Sequence, residues 1–132
     1  MTKVVISLGS NLEPRKEFLQ QARVRLGELG AIVKASAVIE TEPVEVPPEF
    51  KDLKFLNQLL VMDTDLPPEE FSRAMHQIED DLGRVRTVKN GPRTIDIDML
   101  DYEGVKMDTP ELTLPHPRAW QRDFVKELWK TL

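Results

Sequence analysis

From Gly91 to Leu100 the chain reads Gly-Pro-Arg-Thr-Ile-Asp-Ile-Asp-Met-Leu. A breaker pair and a lone arginine lead into a run that alternates strictly in twos. Side chains in an extended strand alternate faces. Ile95, Ile97 and Met99 therefore share one face, and Thr94, Asp96 and Asp98 share the other. Asp is a poor strand former, so two of them in mid-strand cost stability. Two readings fit. Either a half-exposed strand happens to carry two acids on its polar face, or paired carboxylates are kept for a metal or ligand.

At 132 residues the chain is expected to form one domain, residues 1–132, around a single core. It has no cysteine, which excludes disulfides, thiolate metal sites and cysteine nucleophiles. The apolar run at the N-terminus is too short for a secretion signal, and no run could span a bilayer. The expected location is cytoplasmic, with no membrane partner. A net charge of -5 argues against a nucleic-acid partner. Locally, Glu79-Asp80-Asp81 gives way to Arg84, Arg86, Lys89 and Arg93 with no acid among them. A second basic piece holds His116, Arg118 and Arg122. A compact basic loop beside paired Asp suits a small polyanion carried with a divalent cation. A solvated surface turn is the plainer alternative.

Residues 3–8 read as a buried strand. A helix follows from Pro14 to about Leu29, with Phe18, Leu19, Ala22, Leu26 and Leu29 as its apolar stripe. Residues 32–41 read as a second strand and the proline-rich 42–52 as a long loop. In a third strand, 54–65, Phe55, Asn57, Leu59 and Val61 point one way and Leu56, Gln58, Leu60 and Met62 the other. A second helix opens at Pro67-Pro68-Glu69-Glu70 and buries Phe71, Ala74, Met75, Ile78 and Leu82; Gly83 ends it. The fourth strand is the alternating run. Residues 105–107 suggest a short edge strand, and helical turns close the chain, with Leu128 and Trp129 as the plug. The order β-α-β-β-α-β predicts an α+β, ferredoxin-like antiparallel sheet with both helices on one face. Asp96, Asp98, Phe55 and Asn57 then share the open face.

These stretches resemble a known family. Gly91 to Leu100 closely resembles the signature of 6-hydroxymethyl-7,8-dihydropterin pyrophosphokinases. Leu8-Gly9-Ser10-Asn11-Leu12, Thr41-Glu42-Pro43-Val44, Phe55-Leu56-Asn57, Ile78-Glu79 through Gly83-Arg84-Val85-Arg86, Leu114-Pro115-His116-Pro117-Arg118 and Arg122-Asp123-Phe124 are similar to the family's other motifs, in the family's order. A lone Asp-x-Asp is weak evidence; this many ordered matches are not.

The resemblance implies transfer of the β,γ-pyrophosphoryl group of ATP to the pterin's hydroxymethyl oxygen, leaving AMP, with ATP and the pterin as the partners of a monomer. It implies two Mg²⁺ held by Asp96 and Asp98, a hard donor set suited to Mg²⁺ with phosphate. It makes Asp96, Asp98, Arg86 and Arg93 the catalytic group. His76, Glu79, Arg84, Arg93, His116 and Arg122 would bind ATP, Glu79 through the ribose. Thr41, Pro43, Val44, Phe55, Asn57, Phe124 and Asp96 would bind the pterin, stacked between Phe55 and Phe124. Taken singly, Phe55 and Phe124 also read as core aromatics, Asn57 as a backbone partner, His116 as a rigid-turn residue and Glu79 as a surface helix acid. Two positions depart from the family: His76 stands where some members carry Gln, and Asn90 where Trp often precedes the Gly-Pro. The competing functional readings are a non-catalytic ferredoxin-like module that binds Mg-nucleotide, and an RNA-binding sheet. The acidic total and sparse sheet aromatics weigh against the latter.

Overall fold

Val4, Ile6 and Leu8 alternate with Val5 and Ser7, and the strand they form is the centre of the sheet. In the computed structural model, which describes residues 1–43, 47–84 and 92–132, the elements are β1 (Thr2–Ser10), α1 (Arg15–Leu26), β2 (Ala31–Ala35), β3 (Ile39–Thr41), β4 (Phe55–Thr64), α2 (Pro68–Asp81), β5 (Asp96–Tyr102), β6 (Met107–Asp108), β7 (Thr113–Leu114) and α3 (Asp123–Trp129). The protein is mixed α/β. Its five-stranded sheet runs β2-β4-β1-β5, with β3 pairing β4, and every pairing is antiparallel. β6 and β7 make a separate two-stranded ladder.

One face of the sheet carries Val4, Ile6, Leu8, Leu56, Leu60, Met62, Ile97 and Met99. It packs on Leu19, Ala22 and Leu26 of α1 and on Phe71, Met75 and Ile78 of α2. Each of the larger side chains among them contributes about 1.5–3 kcal/mol by leaving water. This is the arrangement the alternation predicts. Helix α1 ends sooner than its stripe suggests: Gly27 caps it after Leu26, because glycine holds a helical conformation poorly.

Three expectations change. The second strand divides, because Ser36 replaces a stretch of ladder. Its hydroxyl accepts the Leu59 N–H at 2.8 Å, and its carbonyl accepts the Gln58 side-chain amide at 2.9 Å. Short polar side chains compete with backbone pairing in this way. A bulge between Val5 and Ile6 in the β1–β5 pairing shifts the parity of β5. Leu100 stays on the far face with Asp96 and Asp98, as alternation requires, while Tyr102 after the bulge moves to the helix side. That far face is also only half open. Val5, Leu59, Val61 and Leu100 are covered by Ala119, Val125 and Leu128. The plug is thus Val125 with Leu128. Trp129 stays 44% exposed, its ring edge-on to Trp120 at 5.1 Å. Among the described residues, no helix is long and apolar enough to cross a membrane.

Candidate active site

The half of the far face outside the α3 cluster is carried by β1, β4 and β5, where Ser7, Gly9 and Asn57 are buried and Asp96 and Asp98 half-buried. Strand register arranges it in rows. Asn57, Gly9 and Asp96 stand side by side, and Leu59, Ser7 and Asp98 form the next row. Gly9 gives this surface a floor without a side chain. A Cβ there would stand 3.3 Å from Asn57 Oδ1 and 3.5 Å from the Phe55 ring. Asn57 is 5% exposed and donates its amide to Thr41 Oγ1 at 2.5 Å, so its carbonyl is left on the Gly9 side. A flat ring could lie over Gly9 with an amide on one flank and a carboxylate on the other.

The acidic flank carries its own cations. Arg84 donates to Asp96 Oδ1 at 2.9 Å and Arg93 to Asp96 Oδ2 at 3.0 Å. Arg84 also pairs with Glu79. Burial opposes the charge of Arg84, but Asp96 and Glu79 outweigh it and raise its pKa. Its Nε is buried without a hydrogen-bond partner among the described residues. Arg93 is fixed by its backbone: Asn11 Oδ1 accepts its N–H at 2.6 Å, and its carbonyl accepts the Asn11 N–H at 3.2 Å. The turn leaving β1 thereby fixes where the chain enters β5. Glu79, the expected ribose contact, is not the surface helix acid of the plainer alternative: it is buried at 1% exposure. His76 is exposed, with Nδ1 at 3.0 Å from Glu79 Oε1.

Asp98 is raised to about pH 7 by burial first and by the charge of Asp96 second; Arg122 works against both. A folded-state pKa above the unfolded 3.8 means that the native state binds the proton more tightly. Below about pH 4 both states are protonated and nothing is lost. Between about pH 4 and 7 the unfolded state ionises first, and the metal-free fold loses stability progressively. Above pH 7 the deficit is constant, of order 2–4 kcal/mol. Asp98→Asn is therefore expected to raise the urea midpoint of the metal-free protein at pH 8 and to leave it nearly unchanged at pH 4. Equal midpoints for wild type and variant at pH 8 contradict this.

His116 closes the other end. Its Nδ1 accepts the N–H groups of Arg118 and Ala119 at 3.2 and 3.0 Å, so the neutral ring carries its proton on Nε2. Burial and the nearby Arg122 charge hold its pKa below the ordinary value. It thus offers a neutral N–H donor. Its backbone N–H reaches the Leu100 carbonyl at 2.8 Å, along the outer edge of β5. Arg122 itself is exposed. Phe124 is half-buried against the cluster of Leu59 and Leu100 and forms no ring pair with Phe55 among the described residues. Pro43 is half-buried. Arg86 and Val44 lie outside the described residues.

Residues 5–132 match the 7,8-dihydro-6-hydroxymethylpterin-pyrophosphokinase (HPPK) family. The chain belongs to this family. The 2-amino-4-hydroxy-6-hydroxymethyldihydropteridine pyrophosphokinase of Bacillus subtilis is 39% identical over 122 residues, spanning 91% of this chain and 71% of that one. A mitochondrial folate synthesis bifunctional protein of Pisum sativum is 38% identical over 93% of this chain, which spans only 24% of that protein. The fold resembles a Plasmodium falciparum HPPK-DHPS structure with pteroate at a TM-score of 0.58 and 15% identity, over 80% of this chain and 30% of that one.

As an HPPK-family chain, the protein has a donor set that can be tested for a divalent cation. No side-chain hydrogen bond of Asp98 is present among the described residues, and burial together with the charge of Asp96 raises its pKa. A cation between the two would relieve that repulsion. Two carboxylates fit Mg²⁺, which retains waters and takes its remaining ligands from phosphate. In the sequence, Gly9 and Asn11 stand only in a turn and a family motif. Their roles depend on which strands oppose them, which local pattern does not reveal.

Proposed function

We propose that the protein transfers the β,γ-pyrophosphoryl group of ATP to the hydroxymethyl oxygen of 6-hydroxymethyl-7,8-dihydropterin, in folate biosynthesis. The new bond joins that oxygen to the β-phosphorus, the bond from the β-phosphorus to the α–β bridging oxygen breaks, and AMP leaves. The observation that carries this reading is the Asn57–Gly9–Asp96 row with Asp98 beside it. It offers a slot for a flat polar ring directly against a cation-binding carboxylate pair.

Asn57, Thr41 and Phe55 line the pterin side, with Phe124, Pro43 and Val44 completing it. Such a site orients the hydroxymethyl oxygen and excludes water, and transfer of this kind depends mainly on positioning and charge neutralisation. Asp96 and Asp98 would hold Mg²⁺, two ions with ATP, which would supply charge neutralisation at the phosphates and a lowered pKa for the attacking hydroxyl. Arg84, Arg86 and Arg93 supply forked donors to phosphate. His116 adds its neutral Nε2–H and Arg122 its exposed charge; His76 stands at the nucleotide side. The strand order β2-β4-β1-β5 supports a ferredoxin-like topology; the proposed reaction is that of one domain, residues 1–132, acting as a monomer. The deciding assay follows AMP release with ATP, Mg²⁺ and the pterin. AMP is expected only when all three are present. ATP binding without AMP at any pterin concentration would instead indicate a nucleotide-binding module.

A further inference from the structure

We infer that Glu79 is a positioning residue: its buried carboxylate clamps the outer edge of β5 at Ile97, between Asp96 and Asp98. β5 is the last strand in the sheet order, so among the described residues no strand pairs with its outer side. Alternate N–H groups of an edge strand point outward. At Ile97 that N–H cannot turn to solvent, because the residue is 2% exposed. Glu79 Oε2 accepts it at 2.8 Å. A charged acceptor makes this bond stronger than a backbone carbonyl would.

The same carboxylate pairs with Arg84, which in turn holds Asp96 Oδ1. A circuit therefore closes from Glu79 to the Ile97 amide, along the backbone to Asp96, and through Arg84 back to Glu79. Glu79 lies in the last turns of α2, so the circuit also ties that helix to the strand bearing both acids. A one-residue span with its central amide fixed has little freedom to twist. The spacing and tilt of Asp96 and Asp98 are thus set from behind. The ribose contact implied by resemblance would draw on a carboxylate already committed to the protein's own frame.

The catalytic consequence rests on the proposed transfer reaction; the clamp itself can be read without substrate. Amide exchange of the substrate-free wild type tests it first. Ile97 is expected to be protected as well as the amides that pair with β1, and a freely exchanging Ile97 amide overturns the clamp. Glu79→Met then removes the acceptor at similar size. Ile97 is expected to exchange about tenfold faster or more, with the β1–β4 ladder unchanged. Turnover is expected to fall about 30-fold or more while KM for ATP moves less than about threefold. Glu79→Gln keeps an acceptor and is expected to restore Ile97 protection and most of kcat. Unchanged Ile97 exchange in the Met variant, or a raised KM for ATP with kcat intact, identifies a nucleotide contact and rejects positioning. A wild type that makes no AMP removes the proposed reaction, and Ile97 exchange still decides the clamp.

Discussion

Asp96→Ala and Asp98→Ala are each expected to lower kcat by about a thousandfold or more, while the Kd for the pterin changes less than about tenfold. Under the proposed reaction, loss of either carboxylate would remove charge neutralisation where the transferring group needs it most, while the flat ring would keep Asn57 and its aromatic neighbours. The two variants are expected to diverge in stability, which separates a catalytic effect from a folding one. Asp96 accepts from both Arg84 and Arg93, so its loss leaves two cations unpaired and destabilises the fold. Asp98 is held against its own ionisation by burial and by Asp96, so its removal relieves a cost at neutral pH. Single-turnover AMP formation, equilibrium pterin binding and urea melts read the three quantities. Wild-type turnover in either variant would reject the cation-holding role.

Gly9→Val is expected to weaken pterin binding by about 100-fold, roughly 2.7 kcal/mol, with little change in nucleotide affinity. Even a methyl group at this position stands 3.3 Å from Asn57 Oδ1 and 3.5 Å from the Phe55 ring; the branched side chain of Val fills the floor between Asn57 and Asp96. Gly9→Ala is expected to show an intermediate loss, since one methyl only crowds the Asn57 carbonyl. The backbone of Gly9 does not require glycine's left-handed region, so the effect reports space rather than strain. Calorimetric titration with pterin decides it. Wild-type affinity in the Val variant would place the ring elsewhere on the sheet.

Much of the frame was legible locally. The faces of β5 follow from period-two geometry, and Ile97 and Met99 do lie in the helix-side core. The register bulge between Val5 and Ile6 was not legible, because nothing in the alternation of residues 95–100 marks the point where the pairing with β1 shifts. Glu79 illustrates the same limit. In sequence it is one of three consecutive acids near a helix end, and such acids are ordinarily solvated. Its neighbours Asp80 and Asp81 are indeed exposed; only the packing of α2 beside β5 buries Glu79 against an edge amide.

By itself the sequence determined which side chains share a strand face, which residue types could serve phosphate and cation, and the family to which the chain belongs. These follow from local geometry and from ordered motifs. Tertiary structure alone decided that Gly9 is a floor between Asn57 and Asp96, that Asp98 resists ionisation, and that α3 covers half of the face left open by α1 and α2. Each of these depends on groups distant in sequence being brought within a few ångströms. Burial and charge act at that range, and spacing along the chain does not encode it.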